Sequence, residues 1–152
     1  MGATDRSRGR RPSALEAALE RVGDRWSLLV VEALLHGPRR WSDLAGEVAG
    51  IAPNVLAARL RRLERDGVVA AEPYSDRPLR LAYGLTSAGR ELAGALRLLT
   101  DWGARRAGGD EGPRHPACGT RMEARWHCPT CDLTVEPGAA GGPGDPGEVV
   151  VV

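Results

Sequence analysis

Residues 53–67 constrain the fold more than any other stretch of the chain. Between Pro53 and Gly67, Leu56, Leu60 and Leu63 recur at i, i+4 and i+7, while Arg59, Arg61, Arg62 and Arg65 fill positions around them. Apolar residues at that spacing line one side of an α-helix and must be covered. Pro53 suits the first helical position, where an N–H would lack a partner, and Gly67 suits the residue just past the end. An amphipathic helix this short draws its stability from the core it lies on. The neighbouring segments must therefore supply that core.

Their signals come in a definite order. Ser13 and Glu16 form an S-x-x-E capping box ahead of the stripe Leu15, Ala18, Leu19 and Val22, and Gly23 ends this first helix. Asp24 caps a second helix through Trp26, Leu29, Val30, Ala33 and Leu34, which stops at Gly37-Pro38. Both are read as packing elements. After Arg39-Arg40-Trp41, Ser42 is expected to cap a short helix carrying Leu44, Ala45 and Val48, and Gly50-Ile51-Ala52-Pro53 makes a tight turn. A short helix, a glycine-containing turn and a second helix in series form a helix-turn-helix. Beyond Gly67 the period shortens: Val68, Val69 and Ala70 lead into residues 73–78, after which Leu79, Leu81 and Tyr83 alternate, the pattern of a hairpin with 73–78 as its loop. Thr86 caps a long helix bearing Leu92, Leu96, Leu99 and Trp102, an apolar spacing longer than a small core needs and therefore expected to meet a second copy in a homodimer.

The expected fold is α+β, mainly α: a winged helix-turn-helix domain over residues 13–107, preceded by a basic arm at 1–12. A zinc-ribbon-like module follows at 113–136 and a Gly/Pro-rich tail at 137–152. At 152 residues there is room for one full-sized domain and a small appendage. The apolar run Leu28 to Val31 is too short to span a bilayer, and no apolar stretch follows the basic start in the manner of a leader, so a cytoplasmic location is expected. A net charge of +1 neither favours nor excludes nucleic acid, since a groove binder needs a basic face and not a basic average. All 21 basic residues are arginine, a composition that fits a nucleotide bias in the source genome as well as a use of Arg for phosphate and guanine, and that in either case puts a bidentate donor wherever a cation is needed.

With the leucines of residues 53–66 turned inward, Asn54, Ala58, Arg61 and Arg65 face outward, flanked by Ala57 and Arg62. Ala57 and Ala58 let such a helix approach base edges closely; Asn54 matches adenine, and Arg61 matches guanine or phosphate. Arg62, Arg65 and the helix N-terminus would hold phosphates. The alternative is a solvated surface neutralised by Glu64 and Asp66. Arg77 and Arg80 on the hairpin add a second basic element beside the helix and favour double-stranded DNA as partner.

Residues 17–106 resemble the HxlR-type winged helix-turn-helix family, relatives of the MarR regulators. The resemblance is carried by Gly23-Asp24-Arg25-Trp26-Ser27, by the run from Pro53 to Val69, by Tyr83-Gly84-Leu85-Thr86-Ser87-Ala88-Gly89 and by Asp101-Trp102-Gly103. It implies a dimeric transcription regulator, more often a repressor, whose recognition helices and wings contact a palindromic operator and whose terminal helices dimerise. It also implies DNA contacts from Arg59 and from Arg40 and Ser42 at the start of the preceding helix. A small-molecule effector fits the family, but no pocket residue is assignable. Family members often carry a cysteine just before the first helix; Arg10-Arg11-Pro12-Ser13 has none, so that thiol sensor is not available.

The cysteines cluster elsewhere, as His115, Cys118, Cys128 and Cys131 in the spacing H-x2-C-x9-C-x2-C. Each pair spans a short loop whose N–H groups can point at a thiolate, and residues 121–126 between them can form a strand, so the segment resembles a zinc ribbon. Four N/S donors suit structural Zn2+, which would supply folding energy that so few apolar residues cannot. His127 is a less well placed substitute for His115. A redox-active Cys128/Cys131 pair with Cys118 free, or no special chemistry, are the alternatives. A catalytic metal is disfavoured because four protein ligands leave no open position, and no enzyme activity is expected. Besides the DNA-binding regulator, two further readings remain open: a protein-interaction module on the same scaffold and a redox-responsive regulator.

Overall fold

The computed structural model describes residues 11–108 and 112–135. The tail expected at 137–152, and the arm except residues 11 and 12, lie outside the described residues. Helix α1 (Ala14–Val22) begins at the expected capping box: the Ser13 hydroxyl accepts the Glu16 N–H at 3.1 Å while the Glu16 carboxylate accepts the Ser13 N–H. Helix α2 (Arg25–Leu35) is capped by Asp24, whose Oδ1 accepts the Trp26 and Ser27 N–H groups at 3.2 and 3.1 Å. A two-residue strand β1 (Arg39–Arg40) leads directly into α3 (Trp41–Glu47). That helix starts two residues earlier than expected: Arg40 and not Ser42 is its N-cap, Ser42 lies within its first turn, and the reciprocal bond comes from Asp43, whose Oδ2 accepts the Arg40 N–H at 3.1 Å.

Helix α4 (Pro53–Arg65) has Pro53 in its first turn and Gly67 just beyond it at φ 70°, a left-handed conformation that only glycine adopts freely. Its faces divide cleanly: Leu56, Leu60 and Leu63 are buried and join Val30, Val31 and Leu34 of α2, Leu44 of α3, and Val48 and Ile51 of the intervening turn. Strands β2 (Val69–Asp76) and β3 (Leu79–Leu85) form the hairpin, and with β1 make an antiparallel sheet in the order β1-β3-β2. Val69 and Leu85, paired at its base, reach the core.

The hairpin corrects the expectation in two respects. Pairing continues to Asp76 and Leu79, so residues 73–76 are strand and the connection is Arg77-Pro78. Pro73 is tolerated because β2 is an edge strand. The register shifts between Pro73 and Ser75, leaving Tyr74 as the extra residue of a bulge. Alternation along β3 also does not translate into burial: Leu79 and Leu81 are exposed because the wing projects past the core, and only Tyr83 and Leu85 pack.

Helix α5 (Ser87–Ala107) is capped as expected by Thr86, whose hydroxyl accepts the Gly89 N–H at 3.1 Å and donates to the Gly67 carbonyl at 2.6 Å. The chain's compact units divide inside this helix, between Leu96 and Arg97. Leu92 and Leu96 belong to the winged-helix unit, where Leu96 is buried. In the second unit, Asp101 pairs with Arg105 and, at 2.6 Å, with Arg121 of the cysteine module. The strand expected at 121–126 is replaced by a single bridge between Arg114 and Arg121 and by a small hairpin, β4 (Trp126–Cys128) with β5 (Leu133–Val135).

Candidate nucleic-acid interface

The outward side of α4 is built by the burial of its leucines. Asn54, Ala58 and Arg61 are exposed, as is Arg65 one turn on, while Ala57 is partly covered. The stripe 54, 58, 61, 65 follows the i, i+4, i+7, i+11 spacing of one helical face. Among the described residues neither Arg61 nor Arg65 has a carboxylate partner.

The other two arginines of this helix are held by the protein itself. Arg59 Nε lies 3.1 Å from Asp24 Oδ1, and the pair is about 30% exposed at each side chain. That nitrogen lies within ion-pair range but is buried and makes no well-directed hydrogen bond, so the contact is chiefly electrostatic. Asp24 is the better satisfied partner. Burial pushes its carboxyl up, but the Ser27 hydroxyl at 2.6 Å, the Ser27 N–H, the Arg59 guanidinium and the Trp26 N–H outweigh this and hold it below the ordinary carboxylate range. Arg62 donates to the Glu20 carbonyl of α1 and lies 3.7 Å from Asp66. The Arg62–Asp66 pair follows from the i, i+4 spacing, but periodicity cannot reveal the contacts with Asp24 and the Glu20 carbonyl, which come from elements folded against α4.

On the sheet, Arg77 occupies the turn and Arg80 lies opposite Ser75; both are exposed. Arg40 and Tyr74 sit on the strands that flank β3, and the Arg40 guanidinium stacks on the Tyr74 ring, 4.7 Å from its centroid. Nothing in the sequence singles out Tyr74; the bulge between Pro73 and Ser75 is what re-aims it. Ser42 is exposed in the first turn of α3. The winged-helix unit thus carries three groups of the expected contact residues: the outward stripe of α4, the hairpin pair Arg77 and Arg80, and Arg40 with Ser42 at the start of α3.

The cysteine module holds its expected ligands as two turns of one form. In the first, His115 Nδ1 lies 3.3 Å from Cys118 Sγ, and the Gly119 N–H donates to the His115 carbonyl at 2.8 Å. In the second, Cys128 and Cys131 hydrogen-bond through their sulfurs, and the Asp132 N–H donates to the Cys128 carbonyl at 2.9 Å. The Thr120 hydroxyl and N–H hold the Cys118 thiol below its ordinary value, and the Cys131 and Thr130 N–H groups do the same for Cys128, whereas hydrogen bonding with Cys128 raises Cys131. Within each turn the donors are adjacent. Among the described residues, however, no three or more His, Cys, Asp or Glu side chains gather as a metal would require.

No described helix is long and apolar enough to cross a membrane. Residues 21–110 match the HxlR-like helix-turn-helix family. The uncharacterized HTH-type transcriptional regulator Rv3095 of Mycobacterium tuberculosis is 37% identical over 149 residues, covering 91% of this chain and 94% of the relative. That share is larger than the winged-helix portion alone. Among solved structures, the HTH-type transcriptional regulator YtcD superposes with a TM-score of 0.61 at 36% identity, over 64% of this chain and 99% of the other. The redox regulator HypR in its reduced form superposes at 0.59 with 28% identity, over 62% and 94%. The helix-turn-helix, the wing and these matches agree: the chain belongs to the HxlR-like helix-turn-helix family of transcriptional regulators.

Proposed function

We propose that the protein is a sequence-specific regulator that binds a palindromic operator as a homodimer and represses by obstructing polymerase. The observation that carries this reading is the outward stripe Asn54, Ala58, Arg61 and Arg65 on α4, whose arginines have no internal carboxylate among the described residues. Asn54 and Arg61 read base edges, Ala57 and Ala58 keep the helix close, and Arg65 holds phosphate. Arg77 and Arg80 follow the backbone from the wing, with Arg40 and Ser42 at the start of α3. Arg59 and Arg62, engaged with Asp24 and α1, set the angle of α4 on the core. Dimerisation uses exposed apolar residues on the terminal helices: Leu15 and Leu19 on α1, and Leu98, Leu99 and Trp102 on α5. The apolar stripe expected to bury α1 is in fact open at Leu15 and Leu19, with Val22 alone buried. Two-fold symmetry then places the recognition helices in successive major grooves, about 34 Å apart.

The test is an anisotropy titration of the full-length protein on genomic fragments selected by binding, at two salt concentrations. A dimer neutralising six to ten phosphates should lose about 10³ to 10⁵ in affinity between about 50 and 200 mM salt. Affinity insensitive to salt would instead make the scaffold a protein-interaction module. A redox-responsive regulator is favoured by the adjacent, unbridged Cys128 and Cys131 and by the likeness to HypR. Operator affinity that changes reversibly with the oxidation of this pair would establish it.

A further inference from the structure

We infer that His115, Cys118, Cys128 and Cys131 form one tetrahedral site for a thiophilic divalent cation of the Zn2+ class, which draws the two turns of the cysteine module together. The argument begins with what does not hold this module. Among residues 112–135 Gly112 alone is buried, and the large apolar side chains Met122, Trp126 and Leu133 are all exposed. Hydrophobic burial therefore cannot be the source of its order.

Its two turns nevertheless share a demanding backbone geometry. Each brings two donors together across two intervening residues, closes with an N–H bond back to the first donor's carbonyl, and ends in a left-handed residue, Gly119 at φ 69° and Asp132 at φ 55°. Asp132 is the only non-glycine residue at positive φ among the described residues. Two copies of one turn, carrying three sulfurs and one imidazole nitrogen, fit a four-coordinate N/S site. The intervening segment 122–125 has no regular structure, so no helix or strand fixes the separation of the two turns. His127, the rival nitrogen donor, lies with Nε2 3.0 Å from Asp132 Oδ1, which leaves the place to His115. Binding releases the three thiol protons as the sulfurs ligate, and the gain in free energy supplies the folding energy that a core does not. Because Arg121 joins the module to Asp101, occupancy also steadies the last turns of α5.

The experiment uses the full-length protein purified under reducing conditions without chelator. Elemental analysis should find one Zn2+ per chain, and exchange for Co2+ should give the ligand-field bands of tetrahedral coordination with thiolate charge transfer. His115→Ala, Cys118→Ser, Cys128→Ser and Cys131→Ser should each lower the stoichiometry or shift the Co2+ spectrum, whereas His127→Ala should change neither. Retention of full stoichiometry and an unaltered spectrum in Cys118→Ser would overturn the single site that joins both turns. So would a metal-free protein that takes up no Co2+, or one whose Cys128 and Cys131 are found as a disulfide in the absence of reductant. Far-UV circular dichroism of each variant separates loss of metal from loss of the winged-helix fold.

Discussion

The winged-helix unit and the cysteine module solve the same problem by opposite means. In the first, residues far apart in the chain bury leucines and valines against one another, and Leu44, Leu56 and Leu63 are completely enclosed. In the second, no large side chain is enclosed, and order resides in turns that close over four or five residues. The contrast shows why a small segment next to a complete core need not share it. A chain can add a module of about two dozen residues if local turn geometry and polar donors replace apolar area.

The sharpest way to break this comparison is to truncate one leucine in each region. Leu56→Ala should cost about 2–5 kcal/mol in denaturant unfolding, because it leaves a cavity in a closed core. Leu133→Ala, at a position 41% exposed, should change stability by less than about 0.5 kcal/mol. Equal effects would mean that the module has a core after all. The next effect in size divides the two regions by function. Arg61→Ala should weaken operator binding by about 1–3 kcal/mol and relax preference at one base position, while Arg125→Ala in the module should leave anisotropy titrations unchanged.

Caps sharpen the comparison at a smaller scale, since they too act locally but within the core-held unit. Thr86→Ala should lower the stability of the winged-helix unit by about 1 kcal/mol, measured as a shift in the denaturation midpoint. The Asp24 prediction concerns pH. Its carboxyl titrates below its ordinary value of 3.8 in the folded protein, so its ionic contribution is fully present above that value and disappears as pH falls through the lower folded one. Asp24→Asn, which keeps a capping oxygen, should be less stable than the wild type at neutral pH, and the two should converge in acid. A gap that stayed constant with pH would assign the effect to capping geometry and not to the carboxylate charge, which the Ser27 hydrogen bonds and then Arg59 stabilise.

Much of the fold is legible because its signals are short in range. Ser13, Asp24 and Thr86 mark helix starts through bonds to residues two or three positions away, and Pro53 and Gly67 mark helix ends through their own backbone constraints, so their reading needs no tertiary knowledge. The leucine stripe of α4 is equally direct. The candidate site is only half legible in this way. Which positions of α4 face outward follows from periodicity, but which arginines are free does not, because Asp24 and the Glu20 carbonyl reach Arg59 and Arg62 from other helices. The stacking of Arg40 on Tyr74 depends in the same way on a bulge in one strand and on the pairing of another.

Sequence alone determined where α1, α2, α4 and α5 begin, which face of α4 is apolar, and which four residues pair into two donor turns, since all of these arise from contacts within a few residues. Only the tertiary structure decided that β1 completes the sheet, that the outer wing leaves Leu79 and Leu81 in solvent, and that Arg61 and Arg65 remain open while Arg59 and Arg62 do not. Burial and ion pairing depend on what is brought alongside from elsewhere in the chain, and periodicity carries no record of that neighbour.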